Sequence, residues 1–69
     1  MIDLSNANAE ATYVIVKVKK NWLRYYGFLE KKKIIVNRND INGIICQVEN
    51  ARFALSPEVA QFILVEAKK

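Results

Sequence analysis

The sequence predicts an all-β fold: a small barrel of about five short strands, with one short helix after the first strand and another before the last. Three observations predict it. Fifteen of the 69 residues are Ile or Val, which suit pleated, half-buried surfaces better than helix interiors. Apolar residues recur at a period of two in short runs separated by turn-forming residues. A chain of 69 residues also has room for one domain only, in which closing the sheet hides its strand edges.

Residues 1–10 read as a lead-in of small polar residues, Ser5-Asn6-Ala7-Asn8-Ala9, with Leu4 as an anchor onto the body. From Thr12 to Lys19 the pattern alternates strictly. Val14, Val16 and Val18 fall on one side, Tyr13, Ile15, Lys17 and Lys19 on the other, so one face of this strand meets the core. Asn21 then caps a short helical turn, Trp22-Leu23-Arg24-Tyr25-Tyr26, which Gly27 stops. Phe28 and Leu29 fold back onto the core. Lys32–Asn37 is a second strand, and Asn37–Gly43 carries turn chemistry, because Asn and Asp tolerate left-handed backbone and Asn-Gly favours a turn. Ile44–Glu49 is a third strand, Asn50-Ala51 a tight turn and Arg52–Leu55 a fourth strand. Ser56-Pro57-Glu58 opens a short helix with Ser as cap, Pro at the first helical position and Glu in the first turn. Gln61–Glu66 returns as the last strand. The domain body therefore spans residues 11–66, and residues 67–69 form a solvated tail. Such a series fits a barrel of the SH3-like or OB type.

Composition narrows the function. No apolar run approaches the roughly 20 residues of a membrane-spanning helix, and the N-terminus lacks the pattern of a secretory signal. Cys46 is the sole cysteine, so no internal disulfide forms and a cytoplasmic, reducing site is expected. Histidine is absent. That removes the common transition-metal ligand sets and the His-dependent catalytic devices, so no enzyme activity, no small-molecule substrate, no cofactor and no metal site are expected. Cys46 alternates with Ile44 and Val48 and reads as a small buried hydrophobe.

Charge is clustered. Of eleven Lys and Arg, seven (Lys17, Lys19, Lys20, Arg24, Lys31, Lys32 and Lys33) lie between positions 17 and 33, where Glu30 is the only acid. The net charge is +4. Within this segment Lys19-Lys20-Asn21-Trp22-Leu23-Arg24-Tyr25-Tyr26 interleaves cations with rings. Such a mixture stacks bases and pairs phosphates in some small barrels. It also supplies the residue types that dominate protein–protein contacts. The bland alternatives are a solvated face and a plug of Leu23 with one or two rings under the barrel mouth.

The order of these elements, from Ala11–Lys19 through Leu23-Arg24-Tyr25-Tyr26-Gly27-Phe28, Lys33-Ile34-Ile35-Val36, Gly43–Glu49 and Arg52-Phe53-Ala54-Leu55 to Ala60 and Ile63-Leu64-Val65, resembles the FeoA family (ferrous iron transport protein A). The same SH3-like domain occurs at the C-terminus of some metal-dependent repressors. Three turn positions depart from the family pattern. Ala9-Glu10 stands where Pro-Gly is common, Lys31 where Gly is usual, and Ile44 where Pro often follows the retained Gly43. The resemblance implies a cytosolic accessory protein of bacterial ferrous iron uptake that docks on, and modulates, FeoB, a membrane transporter with a cytosolic GTP-binding domain. The residues expected to meet that partner are Trp22, Arg24, Tyr25, Tyr26, Lys31, Lys32 and Lys33. The alternative reading is a nucleic-acid-binding barrel, which the acids Glu49, Glu58 and Glu66 disfavour. Self-association through strand edges is the third reading.

Overall fold

The structure, a computed structural model, describes residues 1–68. Six strands form, β1 (Ile2–Asp3), β2 (Ala11–Val18), β3 (Lys33–Asp40), β4 (Gly43–Val48), β5 (Ala51–Leu55) and β6 (Ile63–Ala67). They make one antiparallel sheet in the order β1-β6-β2-β3-β4-β5. The molecule measures 26 × 25 × 24 Å, so the sheet is curled on itself and not a flat plate. A 3₁₀ helix, Asn21–Tyr26, follows β2, and the short helix α1 (Pro57–Ala60) precedes β6. This is the small all-β, SH3-like architecture expected, with one strand more.

The extra strand comes from the lead-in. Ile2 and Asp3 pair with Val65 and Leu64 of β6. Leu4, in the 3₁₀ turn Leu4–Asn6, is fully buried, and Ala7 is buried beside it. Three polar contacts hold this segment. Asn39 Nδ2 donates to the carbonyls of Ser5 (3.1 Å) and Ala7 (2.6 Å), and the Asn8 N–H donates to the Tyr13 hydroxyl at 2.9 Å. Residues 2–7 thus belong to the packed body. At the other end β6 runs to Ala67, one residue beyond the expected strand, and Lys69 lies outside the described residues.

Two bulges overturn the simple alternation. In β2 the register shifts between Ile15 and Lys17, so Tyr13 and Ile15 point inward before it and Val18 after it. The three valines do not share one face. In β3 a second shift lies between Val36 and Arg38. The strand therefore continues through Asn37–Asp40, residues that read as turn, and the loop is only Ile41-Asn42. A further correction moves the next loop back one residue, to Glu49-Asn50, since Val48 pairs with Ala51. Glu49 takes φ 54 in its first position, the positive φ that tight two-residue hairpins place there.

The 3₁₀ helix also starts differently. Lys20, extended at φ −123 and ψ 123, occupies the cap position and makes no side-chain cap bond, while Asn21 is the first helical residue. Its end agrees with expectation: Gly27 is left-handed at φ 100 and its N–H donates to the Arg24 carbonyl at 3.1 Å. Ser56 caps α1 as expected, its Oγ accepting from the Val59 N–H at 3.3 Å.

The departures from the family pattern acquire a physical meaning. Glu10 and Lys31, which stand where glycine is favoured, adopt φ 60 and φ 73. Both are left-handed and cost an L-residue about 1–2 kcal/mol each. Gly43, which is retained, has φ 134, and a Cβ there would lie 2.6 Å from the Leu55 carbonyl oxygen.

The core is formed by Ile15, Ile34, Val36, Ile44, Cys46, Ile63 and Val65 from the sheet, closed by Leu4, Leu23, Phe28 and Ala60. No polar or charged residue is buried among the described residues. Burial pushes the Cys46 thiol pKa up to about 12.

Candidate interaction surface

The crossover from β2 to β3 is fastened from beneath by one side chain. Leu23 is fully buried, whereas its neighbours Trp22, Tyr25 and Tyr26 are 45%, 89% and 59% exposed. Leu23 therefore acts as the plug, and the rings stay outside it. In a 3₁₀ helix, residues three apart share a side, so Tyr26 follows Leu23 toward the barrel mouth. There Tyr26 meets Trp22 and Phe53 edge-on, each with centroids 6.4 Å apart, and Phe53 packs on buried Phe28 at 4.7 Å. Phe53 belongs to β5. It was not singled out from the sequence, because the pairing that brings it to Tyr26 spans 27 positions of chain.

Trp22, Tyr26, Phe53, Leu55 and Val59 line an apolar groove of about 260 Å³ between the 3₁₀ helix and β5 with α1. Tyr26 is shared with an adjoining depression that also holds Lys32 and Glu49. Lys32 is shared in turn with a third, which includes Lys31 and Lys33. Trp22, Tyr26 and the three lysines thus form one continuous strip, with Tyr25 standing proud beside it.

Two of the expected contact residues are already engaged. Arg24 Nη2 lies 2.6 Å from Glu30 Oε2, and Arg24 Nη1 donates to the Val18 carbonyl at 3.4 Å. This arginine supports the crossover from within and presents little free charge. Lys32 Nζ lies 2.7 Å from Glu49 Oε1. Lys31 and Lys33 are exposed and make no ion pair among the described residues. Lys20 places its Nζ 5.0 Å from the centre of the Phe62 ring.

The acids respond to these partners. The Glu30 carboxyl is held below its ordinary range, first by its own backbone N–H and then by the Val18 N–H and the Arg24 guanidinium. Lys32 does the same for Glu49. No group of three or more His, Cys, Asp or Glu side chains is gathered among the described residues. Nor is any helix there long and apolar enough to cross a membrane.

The FeoA domain profile matches residues 2–67. No curated protein matches the sequence. Among solved structures, the FeoA of Stenotrophomonas maltophilia complexed with zinc superposes with a TM-score of 0.86 at 21% identity, over 96% of this chain and 91% of that one. It is described as an SH3 domain protein, for which a role as a bacterial ferrous iron transport activating factor has been put forward. An iron uptake regulatory protein (FeoA) superposes at 0.83 and 21% identity, over 93% of each chain. The iron(II) transport protein A of Clostridium thermocellum gives 0.81 at 21% identity, over 96% of this chain and 45% of that one. At these identities the superpositions carry the fold.

Proposed function

We propose that this chain, which belongs to the FeoA domain family, is a non-catalytic docking module of ferrous iron uptake. Its partner is the cytosolic region of a FeoB-type membrane transporter, whose activity it modulates from the cytoplasm. The observation that carries this reading is the exposed ring cluster Trp22, Tyr25 and Tyr26, continuous with the lysines at 31–33. Large exposed rings cost solubility, and Tyr25, at 89% exposure, adds nothing to a core that Leu23 already closes. Rings and cations side by side are the composition of protein-contact hot spots.

The family supplies the transport setting, and the strip supplies a surface by which a small domain without catalytic residues can act on a larger protein. The test is titration calorimetry of the full chain against the transporter's cytosolic region, with and without guanine nucleotide. Saturable binding that weakens at high salt is expected, because salt screens the attraction of the clustered lysines. No saturable binding in either nucleotide state rejects the reading. A single-stranded oligonucleotide serves as the competing ligand, and binding to it alone with a steep salt dependence would favour the nucleic-acid alternative.

A further inference from the structure

The two ends of the sheet are not alike. β1 is two residues long, whereas β5 has five, no proline and an unbroken register with β4. Among the described residues β5 is hydrogen-bonded on one side only. Proteins blunt such edges with charge, bulges or short length, and here a single Arg52 is the charged residue of the strand.

The hairpin geometry says which backbone groups face outward. Its two-residue loop, Glu49-Asn50, closes on Val48 and Ala51. In an antiparallel pair, hydrogen-bonded and non-bonded positions alternate. With the loop-flanking pair bonded, Cys46/Phe53 and Ile44/Leu55 are bonded too. The N–H and C=O groups of Arg52 and Ala54 then point away from β4, and among the described residues no turn, cap or side-chain hydrogen bond takes them up. Directly beside this edge runs the groove of Trp22, Tyr26, Phe53, Leu55 and Val59.

Charge defines what fits. Arg52 is exposed and makes no ion pair among the described residues, like Lys31 and Lys33. Glu30 and Glu49 are each neutralised by a cation. We propose that β5 receives an additional strand from a partner: an extended, acidic segment whose alternate residues are apolar. Its backbone bonds the outward groups of Arg52 and Ala54. Its apolar side chains turn into the groove, and its carboxylates stand on the opposite face, beside Arg52. The proposal rests on the docking reading and specifies how docking occurs.

The probe is a capped heptapeptide alternating glutamate and valine, titrated into the full chain and followed by NMR amide exchange. A peptide of the same composition with its valines in one block is the comparator. Saturable binding of the alternating peptide is expected, with slowed exchange at the Arg52 and Ala54 amides. Ala54→Pro removes one outward donor at an edge position where the β4 ladder does not use it, and weakens binding about tenfold. Arg52→Glu, at an exposed position, weakens it as well and serves if the proline variant is poorly folded. Equal binding of the block peptide, protection confined to other residues, or no binding of the alternating peptide would overturn the proposal. The transporter titration separates the two readings. A cytosolic region that binds the wild type and Ala54→Pro alike rejects strand addition and keeps docking. Peptide binding at β5 without transporter binding does the reverse.

Discussion

Arg24 and Glu30 close the β2–β3 crossover on itself. The guanidinium and the carboxylate meet at 2.6 Å, and both reach Val18, the arginine at its carbonyl and the glutamate at its N–H. The one acid of the basic segment is thereby spent on the one arginine, and the surface charge is left to the lysines. Both side chains are about a third exposed, so solvent screens the pair and its worth to stability is small.

Glu30→Gln tests that division of labour. It should lower the melting temperature slightly, while association with the transporter's cytosolic region becomes faster at low salt, because an unneutralised Arg24 joins the lysines. Stopped-flow association at two ionic strengths measures it. Slower association at low salt would contradict this account of the surface charge.

Leu23 and Tyr25 differ by two positions and should differ completely in consequence. Leu23→Ala empties a fully buried site and costs about 2–5 kcal/mol in urea unfolding. Tyr25→Ala, at a position 89% exposed, should stay within about 0.5 kcal/mol of the wild type. Docking affinity should nevertheless fall at least about tenfold.

Gly43→Ala meets two obstacles together, a φ of 134 and a Cβ that would sit 2.6 Å from the Leu55 carbonyl oxygen. A loss of about 1–3 kcal/mol is expected, read as a lowered urea midpoint with the slope unchanged. The backbone oxygen cannot swing aside as a flexible side chain would.

Acidity should unfold the protein from one direction. Glu30, Asp40 and Glu49 all have carboxyl pKa values below their ordinary values of 4.5, 3.8 and 4.5. For Asp40 the cause is first the Asn42 N–H and then the Arg38 side chain. The folded state thus binds protons less readily than the unfolded one. These groups contribute their full stabilisation above the ordinary values and lose it as pH falls through the lowered ones. Urea midpoints should be flat from pH 7 down to about 5 and decline below it. A midpoint that rises on acidification below pH 4 would contradict these assignments.

Much of the fold was legible because its signals are local. The Ser56-Pro57 helix start, the Gly27 stop and the buried Cys46 each follow from a residue and its immediate neighbours. The two bulges were not legible, since a bulge is set by the strand lying alongside, and strict alternation along β2 hid it. β1 is too short to show any period and exists only because β6 offers it an edge. Turn chemistry misled at Asn37–Asp40, where Asn39 uses its amide to hold the N-terminal segment and does not turn the chain. In the candidate surface the rings and lysines were visible as composition. Arg24's ion pair was not, because its partner lies six residues on, beyond Gly27, outside any helical spacing. Phe53 and the outward backbone of β5 became apparent only with the strand order.

Cys46 carries one more consequence. A lone thiol with no exposed surface and a pKa near 12 reacts with no reagent while the sheet is intact. Its alkylation rate in dilute iodoacetamide therefore counts the openings, local or global, that uncover β4. Nature has installed a single-site stopwatch, so opening can be timed in the unaltered protein without attaching any label beforehand.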